Sequence, residues 1–296
     1  MLGKSERESA VHARAAAVKG GWDNGDSVLL ELGSRTSMLA TIAALDAING
    51  VVHIGHPSQP DPGLERRLLS ADNSLVLTQS VSIDSQWTLV GRSHESNGTA
   101  IIDEAGMRDT RQVLRTLGIT PQVVSTTMSV DDRCTLAGEH GMLVLEKAAI
   151  PAGYFELEGA SLFASVPPLW YGLLETAEEL YDFTERTQIW LAFGPTEDHE
   201  GSLRITLNVF AEHSIDLQHL RSQRAANGTH VFLSSFAIAD STVLRSLLAQ
   251  LSAQEVQYRI LAILPGTQFI PGPDALTPVW SNMSQSAIAA ASSKAN

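Results

Sequence analysis

Cysteine is almost absent from this 296-residue chain: Cys134 stands alone. A single cysteine excludes an internal disulfide and fits a reducing, cytoplasmic setting, and Cys134 reads as a buried structural thiol rather than a nucleophile. Positive charge is also scarce, with 20 Lys and Arg against 33 Asp and Glu and a formal net charge of −13. The acidity is spread along the chain and not gathered in a tail. Phosphate backbones and anionic membranes need a basic face, so no nucleic-acid or membrane partner is expected. A small anionic substrate stays compatible, because a pocket can be locally basic in an acidic protein. No run of about 18 apolar residues occurs, so no bilayer-spanning segment is expected. Met1–Lys4 leads into the charged stretch Ser5–Lys19 without an apolar h-region, so no secretory signal is expected either. His53 and His56 flank Gly55 at a strand end, but no Asp, Glu or Cys completes a ligand set beside them, and no metal or organic cofactor is expected.

What is present is alternation. Ser5–Lys19 has the composition of an amphipathic helix, set off by the turn-rich Gly20–Gly25. From Ser27 to about Ser165, short apolar strands alternate with helices, the α/β pattern. Strands are predicted at Val28–Leu32, Val51–Ile54, Leu75–Thr78, Trp87–Val90, Thr99–Asp103 and Met142–Leu145. Helices are predicted at Met38–Ile48, Leu64–Leu69 and Met107–Leu117, the last stopped by Gly118. Ser129 has the place of an N-cap for a helix over Val130–Ala137. A linker with an acidic helix over Leu173–Tyr181 leads on to residue 186. Beyond about Gln268 the Pro-, Ser- and Ala-rich composition predicts an irregular tail.

Residues 186–265 carry the clearest pattern. Arg186–Phe193 alternates as a strand, and Gly201–His213 repeats with helical period on Leu203, Leu207, Phe210 and Ala211. Leu217–Gln223 and Val231–Ile238 are strands flanking Asn227-Gly228, a type I′ hairpin signal. Val243–Leu251 is helical, and Val256–Leu264 closes as a strand. The order is βαββαβ, a ferredoxin-like split βαβ.

Within that frame, Gly201-Ser202-Leu203, Ile215-Asp216-Leu217 and Leu220-Arg221-Ser222-Gln223-Arg224 resemble the ACT domain of bacterial prephenate dehydratases. The earlier residues resemble, more distantly, the catalytic body of that family. Val52-His53-Ile54-Gly55-His56-Pro57 stands at its Val-Pro-Ile-Glu-Asn-Ser turn, Val124-Ser125-Thr126-Thr127 at its Ser-Thr loop, Arg186-Thr187-Gln188-Ile189 at its Thr-Arg-Phe segment, and Leu32-Gly33-Ser34-Arg35-Thr36 echoes its opening Leu-Gly-Pro motif. The resemblance implies an α/β fold: a two-lobed, periplasmic-binding-protein-like body over residues 20–185, an ACT domain over 186–266, and the tail at 267–296. It implies decarboxylative dehydration of prephenate or a related cyclohexadienyl acid, without cofactor, in phenylalanine biosynthesis. Thr187, Ser125, Thr126 and Thr127 would assist the leaving group. Arg35, Ser34, Thr36 and His56 would bind substrate. Gly201, Ser202, Leu203, Asp216, Leu217, Arg221, Ser222 and Arg224 would bind an amino-acid effector in a homodimer or homotetramer.

Read on their own, the same residues have plainer roles. A Ser-Thr-Thr run before a helix serves as cap and loop or as an anion cradle. Thr187 suits a strand start, Arg35 a solvent-facing helix start, and His53 and His56 a loop. The effector residues also fit a dimer interface. The family's carboxylate and amide are replaced at Gly55-His56, its Arg by Gln188, and the spacing from Arg35 to Gly55 predicts a shortened first lobe. Two further readings therefore stand beside the lyase: a non-catalytic amino-acid sensor, and an altered enzyme acting on a related acid.

Overall fold

A computed structural model of the protein describes residues 1–23, 27–72, 74–177, 180, 182–197 and 199–266; the expected tail lies outside these. In chain order the elements are β1 (Leu2–Lys4), α1 (Ala10–Lys19), β2 (Leu29–Glu31), α2 (Arg35–Ala44), β3 (Asn49–His56), β4 (Gln59–Pro60), α3 (Pro62–Ser70), β5 (Leu75–Ile83) and β6 (Trp87–Gly91). There follow β7 (Thr99–Asp103), α4 (Glu104–Leu117), β8 (Thr120–Val124), α5 (Val130–Ala137), β9 (Met142–Glu146), β10 (Phe155–Glu156) and β11 (Leu169–Thr176). The last stretch holds β12 (Thr187–Pro195), α6 (Ser202–Glu212), β13 (Leu217–Arg224), β14 (His230–Ile238), α7 (Ser241–Ala253) and β15 (Val256–Pro265).

Two sheets organise this α/β chain. The larger runs β13-β14-β12-β15-β5-β11-β3-β1-β2, with β4 added to β3; the smaller runs β10-β6-β9-β7-β8. The order β13-β14-β12-β15 is that of a ferredoxin-like βαββαβ unit. That unit is not separate from the rest: β15 lies parallel to β5, with Ala262 opposite Leu77, so one sheet passes through both parts of the chain. Among the described residues, β13 and β2 are the two outer strands of this sheet.

Local chemistry explains most boundaries. The Ser129 hydroxyl accepts from the Asp132 amide at 3.1 Å and starts α5. Gly118 at φ 67° closes α4 in the left-handed region that glycine adopts without strain. Gly55 at φ 80° is needed for a close approach, since a Cβ there would sit 2.7 Å from the Asp61 amide. Along β3, Val51 joins the core between the two sheets while Val52 and Ile54 join the core under α2 and α3.

Three expectations need correction. The acidic helix over Leu173–Tyr181 is in its described part the end of β11, a central strand paired with β3 and β5 on either side; its apolar run Leu169–Leu174 is buried except for the half-buried Trp170, and burial outweighs helix propensity. Ser5–Lys19 is helical only from Ala10, because Leu2–Lys4 is drawn into the sheet between β2 and β3. The hairpin at Asn227-Gly228 is not type I′: only Gly228 has positive φ, at 86°, and Ala225 and Thr229 close a longer loop.

The two parts of the large sheet share a core. Trp190 of β12 is fully buried among Met38, Leu64, Leu68 and Ile54, and its Nε1 donates to the Pro57 carbonyl at 2.6 Å. Trp190→Ala should lower unfolding free energy by about 3–5 kcal/mol. Because α2, α3 and the βαββαβ strands contribute to one cluster, urea denaturation should show a single shifted transition for both parts.

Candidate functional site

The loop Ser5–Ser9, between β1 and α1, places Glu8 at the centre of a buried ionic network. The Glu8 side chain has no solvent exposure. Its Oε1 accepts from Arg35 Nε at 3.1 Å and Nη2 at 2.8 Å, and its Oε2 from Arg108 Nη1 at 3.1 Å. Arg35 also donates to Asp61 Oδ1 at 3.1 Å, the atom that caps α3 through the Leu64 amide at 2.6 Å. Arg108 makes a two-pronged pair with Asp109 at 2.7 and 3.1 Å, and Trp87 Nε1 donates to the same carboxylate at 3.0 Å. Burial works against the Arg108 charge, but Asp109 and Glu8 hold its pKa above the ordinary value. His53, behind this network, is kept neutral by burial and then by Arg108 and Arg35.

Outside the network opens a cleft of about 1130 Å³. Arg35, Asp61, Gly63 and Arg67 border it from the α2–α3 side. Arg7 and the α4 face from Glu104 to Thr116, with Arg108, Arg111 and Arg115, border it as well. In a chain of net charge −13 this cleft is lined by six arginines and three carboxylates, Asp61, Glu104 and Asp109. It can hold a small anion. Among the described residues no group of three His, Cys, Asp or Glu is placed to hold a metal, and no helix is long and apolar enough to cross a membrane.

Of the expected residues Arg35 lines this cleft, and several others contact the network or residues next to it. Thr126 Oγ1 donates to the Glu6 carbonyl, so the Ser-Thr-Thr loop abuts the Ser5–Ser9 loop that Arg35 grips from α2. Ser125 Oγ and Thr127 Oγ1 lie 2.8 Å apart in an exposed turn. Arg133, nearly buried, anchors this turn through the Thr126 and Met128 carbonyls while pairing with Asp103 at 2.8 Å. Ser34 Oγ caps α2 through the Ser37 amide at 3.1 Å, and Thr36 Oγ1 accepts from Arg67 at 2.8 Å. Arg35 is not solvent-facing: it is 6% exposed and bound to two carboxylates.

Others lie elsewhere. Thr187 is fully buried at the start of β12 and donates to the Glu185 carbonyl at 2.9 Å. His56 is buried, with Nδ1 2.8 Å from Ser58 Oγ and its ring edge-on to Trp170, and burial lowers its pKa. In the βαββαβ part, Gly201 at φ 90° precedes α6, Ser202 Oγ donates to the His199 carbonyl at 2.8 Å, and Leu203 packs on the core under α6 and α7. Asp216, Ser222 and Arg224 are exposed, and Leu217 is half-buried. Arg221 reaches α3, donating to Glu65 Oε2 at 2.8 Å. Burial pushes the Glu65 carboxyl up to about 7, against the pull of Arg221.

Glu8, Asp61, Arg67, Arg108, Arg111 and Arg115 were not singled out from the sequence. For α4 a signal existed: Arg108, Arg111 and Arg115 stand at helical spacing on one stripe. Nothing local marks Glu8, whose partners lie 27 and 100 residues away.

Two stability measurements follow. Glu8→Ala leaves Arg35 and Arg108 short of a buried partner and should cost about 3–5 kcal/mol in urea unfolding. Glu65 has its folded pKa raised from 4.5 to about 7. Its contribution is therefore fully present below the unfolded value and is lost as pH rises through about 7. Between about pH 5 and about pH 8 the native chain should lose up to roughly 3 kcal/mol relative to Glu65→Gln, read as a pH-dependent difference in midpoint.

No family model matches the sequence, and no curated protein matches it. Solved structures do. A prephenate dehydratase from Staphylococcus aureus subsp. aureus Mu50 matches with a TM-score of 0.63 at 14% identity, over 89% of this chain and 100% of that one. A prephenate dehydratase from Arthrobacter aurescens, in complex with L-Phe, matches with a TM-score of 0.67 at 16% identity, over 100% of this chain and 98% of that one. GqqA, described as a novel type of quorum quenching acylase, matches with a TM-score of 0.61 at 14% identity, over 90% of this chain and 98% of that one. One fold thus carries two described activities, and what this chain has is the fold of solved prephenate dehydratase structures.

Proposed function

We propose that this chain is a prephenate-dehydratase-like protein of aromatic amino-acid metabolism, taking prephenate or a related cyclohexadienyl acid into the arginine-lined cleft. The observation that carries the reading is that cleft: a surplus of guanidinium groups in a strongly acidic chain, within this fold. Prephenate is a dianion. Its ring carboxylate leaves as carbon dioxide, the freed electron pair aromatises the ring, and the C–O bond at the opposite carbon breaks. The departing hydroxide takes a proton and leaves as water. Arginines hold the two carboxylates, and a hydroxyl donor eases the departure. Of the candidate hydroxyls, Ser125 and Thr127 are the accessible ones, whereas Thr187 is buried on a carbonyl. Residues 186–266 serve in this reading as an ACT-type regulatory unit. The preceding chain, with β1 and α1 included, is the catalytic body. An amino acid is its effector, and two or four copies assemble.

A second reading, an amino-acid sensor without turnover, is favoured by two observations. Arg35 is already saturated by Glu8 and Asp61, and Thr187 Oγ1 is committed to Glu185. That a related fold is known in complex with L-Phe supports effector binding under either reading.

Purified protein should convert prephenate to phenylpyruvate, followed by product absorbance, and a Ser125→Ala/Thr127→Ala double variant should be slower by roughly 10²-fold or more. Equal rates for the two proteins remove the catalytic reading. Calorimetric binding of phenylalanine, tyrosine or tryptophan without turnover then establishes the sensor.

A further inference from the structure

Charge pairing sorts the six arginines of the cleft into two groups. Arg7 is paired with Glu104 at 3.1 Å, Arg35 with Glu8 and Asp61, and Arg108 with Glu8 and Asp109. These three arginines answer all three carboxylates that line the cleft. Arg67, Arg111 and Arg115 are left, and among the described residues none of the three has a carboxylate partner.

We propose that Arg67 on α3 and the pair Arg111 and Arg115 on α4 form a two-sided clamp for a small dianion, and that the deeper Arg35 and Arg108 are structural. The inference rests on the proposed function, whose ligand site it specifies.

The geometry has three parts. First, the clamp residues border the same cleft from two different helices, so a molecule with anionic groups at both ends can engage both walls. Second, Arg67 is held in place: its Nη1 donates to Thr36 Oγ1 at 2.8 Å, at the start of α2. Thr36 is thus a positioning residue and Arg67 the contact. Third, Arg111 and Arg115 stand four residues apart on α4, where like charges repel. The helix C-terminus compensates Arg115, in its last turn, but not Arg111, a turn earlier. A bound anion would relieve both. Arg35, by contrast, cannot take a ligand carboxylate without giving up Glu8, which is wholly buried and would lose its partner.

The clamp selects for charge separation. An acid with two carboxylates set apart, such as a cyclohexadienyl dicarboxylate, reaches both walls; a monocarboxylate reaches one. Exposed guanidiniums also make the affinity fall with ionic strength.

The test is titration calorimetry with three probes, prephenate, succinate and inorganic phosphate, against the native chain and Arg67→Gln, Arg111→Gln, Arg115→Gln and Arg67→Gln/Arg111→Gln. Arg66→Gln, on α3 but outside the cleft lining, is the charge control. The positions are exposed, and an unchanged unfolding midpoint will verify that each variant folds. Each cleft variant should weaken dianion binding roughly tenfold and the double variant roughly a hundredfold, with Arg66→Gln near native. Thr36→Val should weaken binding less than Arg67→Gln. Native-like affinity in the double variant, an equal loss in Arg66→Gln, or no dianion binding at all overturns the clamp. Arginine-dependent binding of succinate without binding of prephenate leaves the clamp standing and removes the cyclohexadienyl reading, and phosphate binding as tight as that of succinate overturns the selection for separated charges. Prephenate turnover that ignores Arg67, Arg111 and Arg115 does the reverse.

Discussion

The buried carboxylate of Glu8 is the constraint on which the rest of this protein turns. A carboxylate without solvent must be answered by cations, and two guanidiniums from different helices converge on it. Arg35 brings α2 and, through Asp61, the start of α3. Arg108 brings α4, which packs on the smaller sheet's side. One side chain from the five-residue loop Ser5–Ser9 thereby fixes the mutual position of three helices. The cleft exists because those helices are held around it and cannot collapse into it.

The second constraint is continuity of the large sheet. Pairing of β15 with β5 places the βαββαβ unit against the body without a flexible gap, and Trp190, Ala192, Leu233 and Leu261 enter the same core as α2 and α3. Arg221 then crosses from the outer edge strand to Glu65 on α3. Asp61 and Glu65 stand one helical turn apart on α3, so the helix touches the cleft network at its N-cap and the β13 edge through Glu65. In the regulated-enzyme reading, α3 is the element through which events at β13 would reach the cleft.

Composition and local surface disagree in an instructive way. A net charge of −13 speaks against extended polyanions as partners, yet arginines are gathered on the cleft-facing stripes of α3 and α4. Pairing inside the cleft cancels half of them. The residual positive charge is small and localised, which suits a small anion.

Much of the fold was legible in the sequence because it follows from short-range rules. Period two and period 3.6 marked β12 through β15 with α6 and α7; Gly118 and Ser129 marked helix ends to the residue. The errors lie where long-range forces overrode local ones. Leu169–Thr176 became a strand because neighbours on both sides needed a partner, and Leu2–Lys4 became one because a slot lay open between β2 and β3. The site was less legible for the same reason. Ser125–Thr127 and Arg35 were found by resemblance, but their shared contact, the Ser5–Ser9 loop, was not, since its partners are dozens of residues away. From composition and periodicity alone came the class and the βαββαβ order, with a small anionic ligand compatible but not required. Which arginines remain uncommitted was decided only by tertiary structure, because pairing of buried charges depends on three-dimensional proximity, to which linear order is blind.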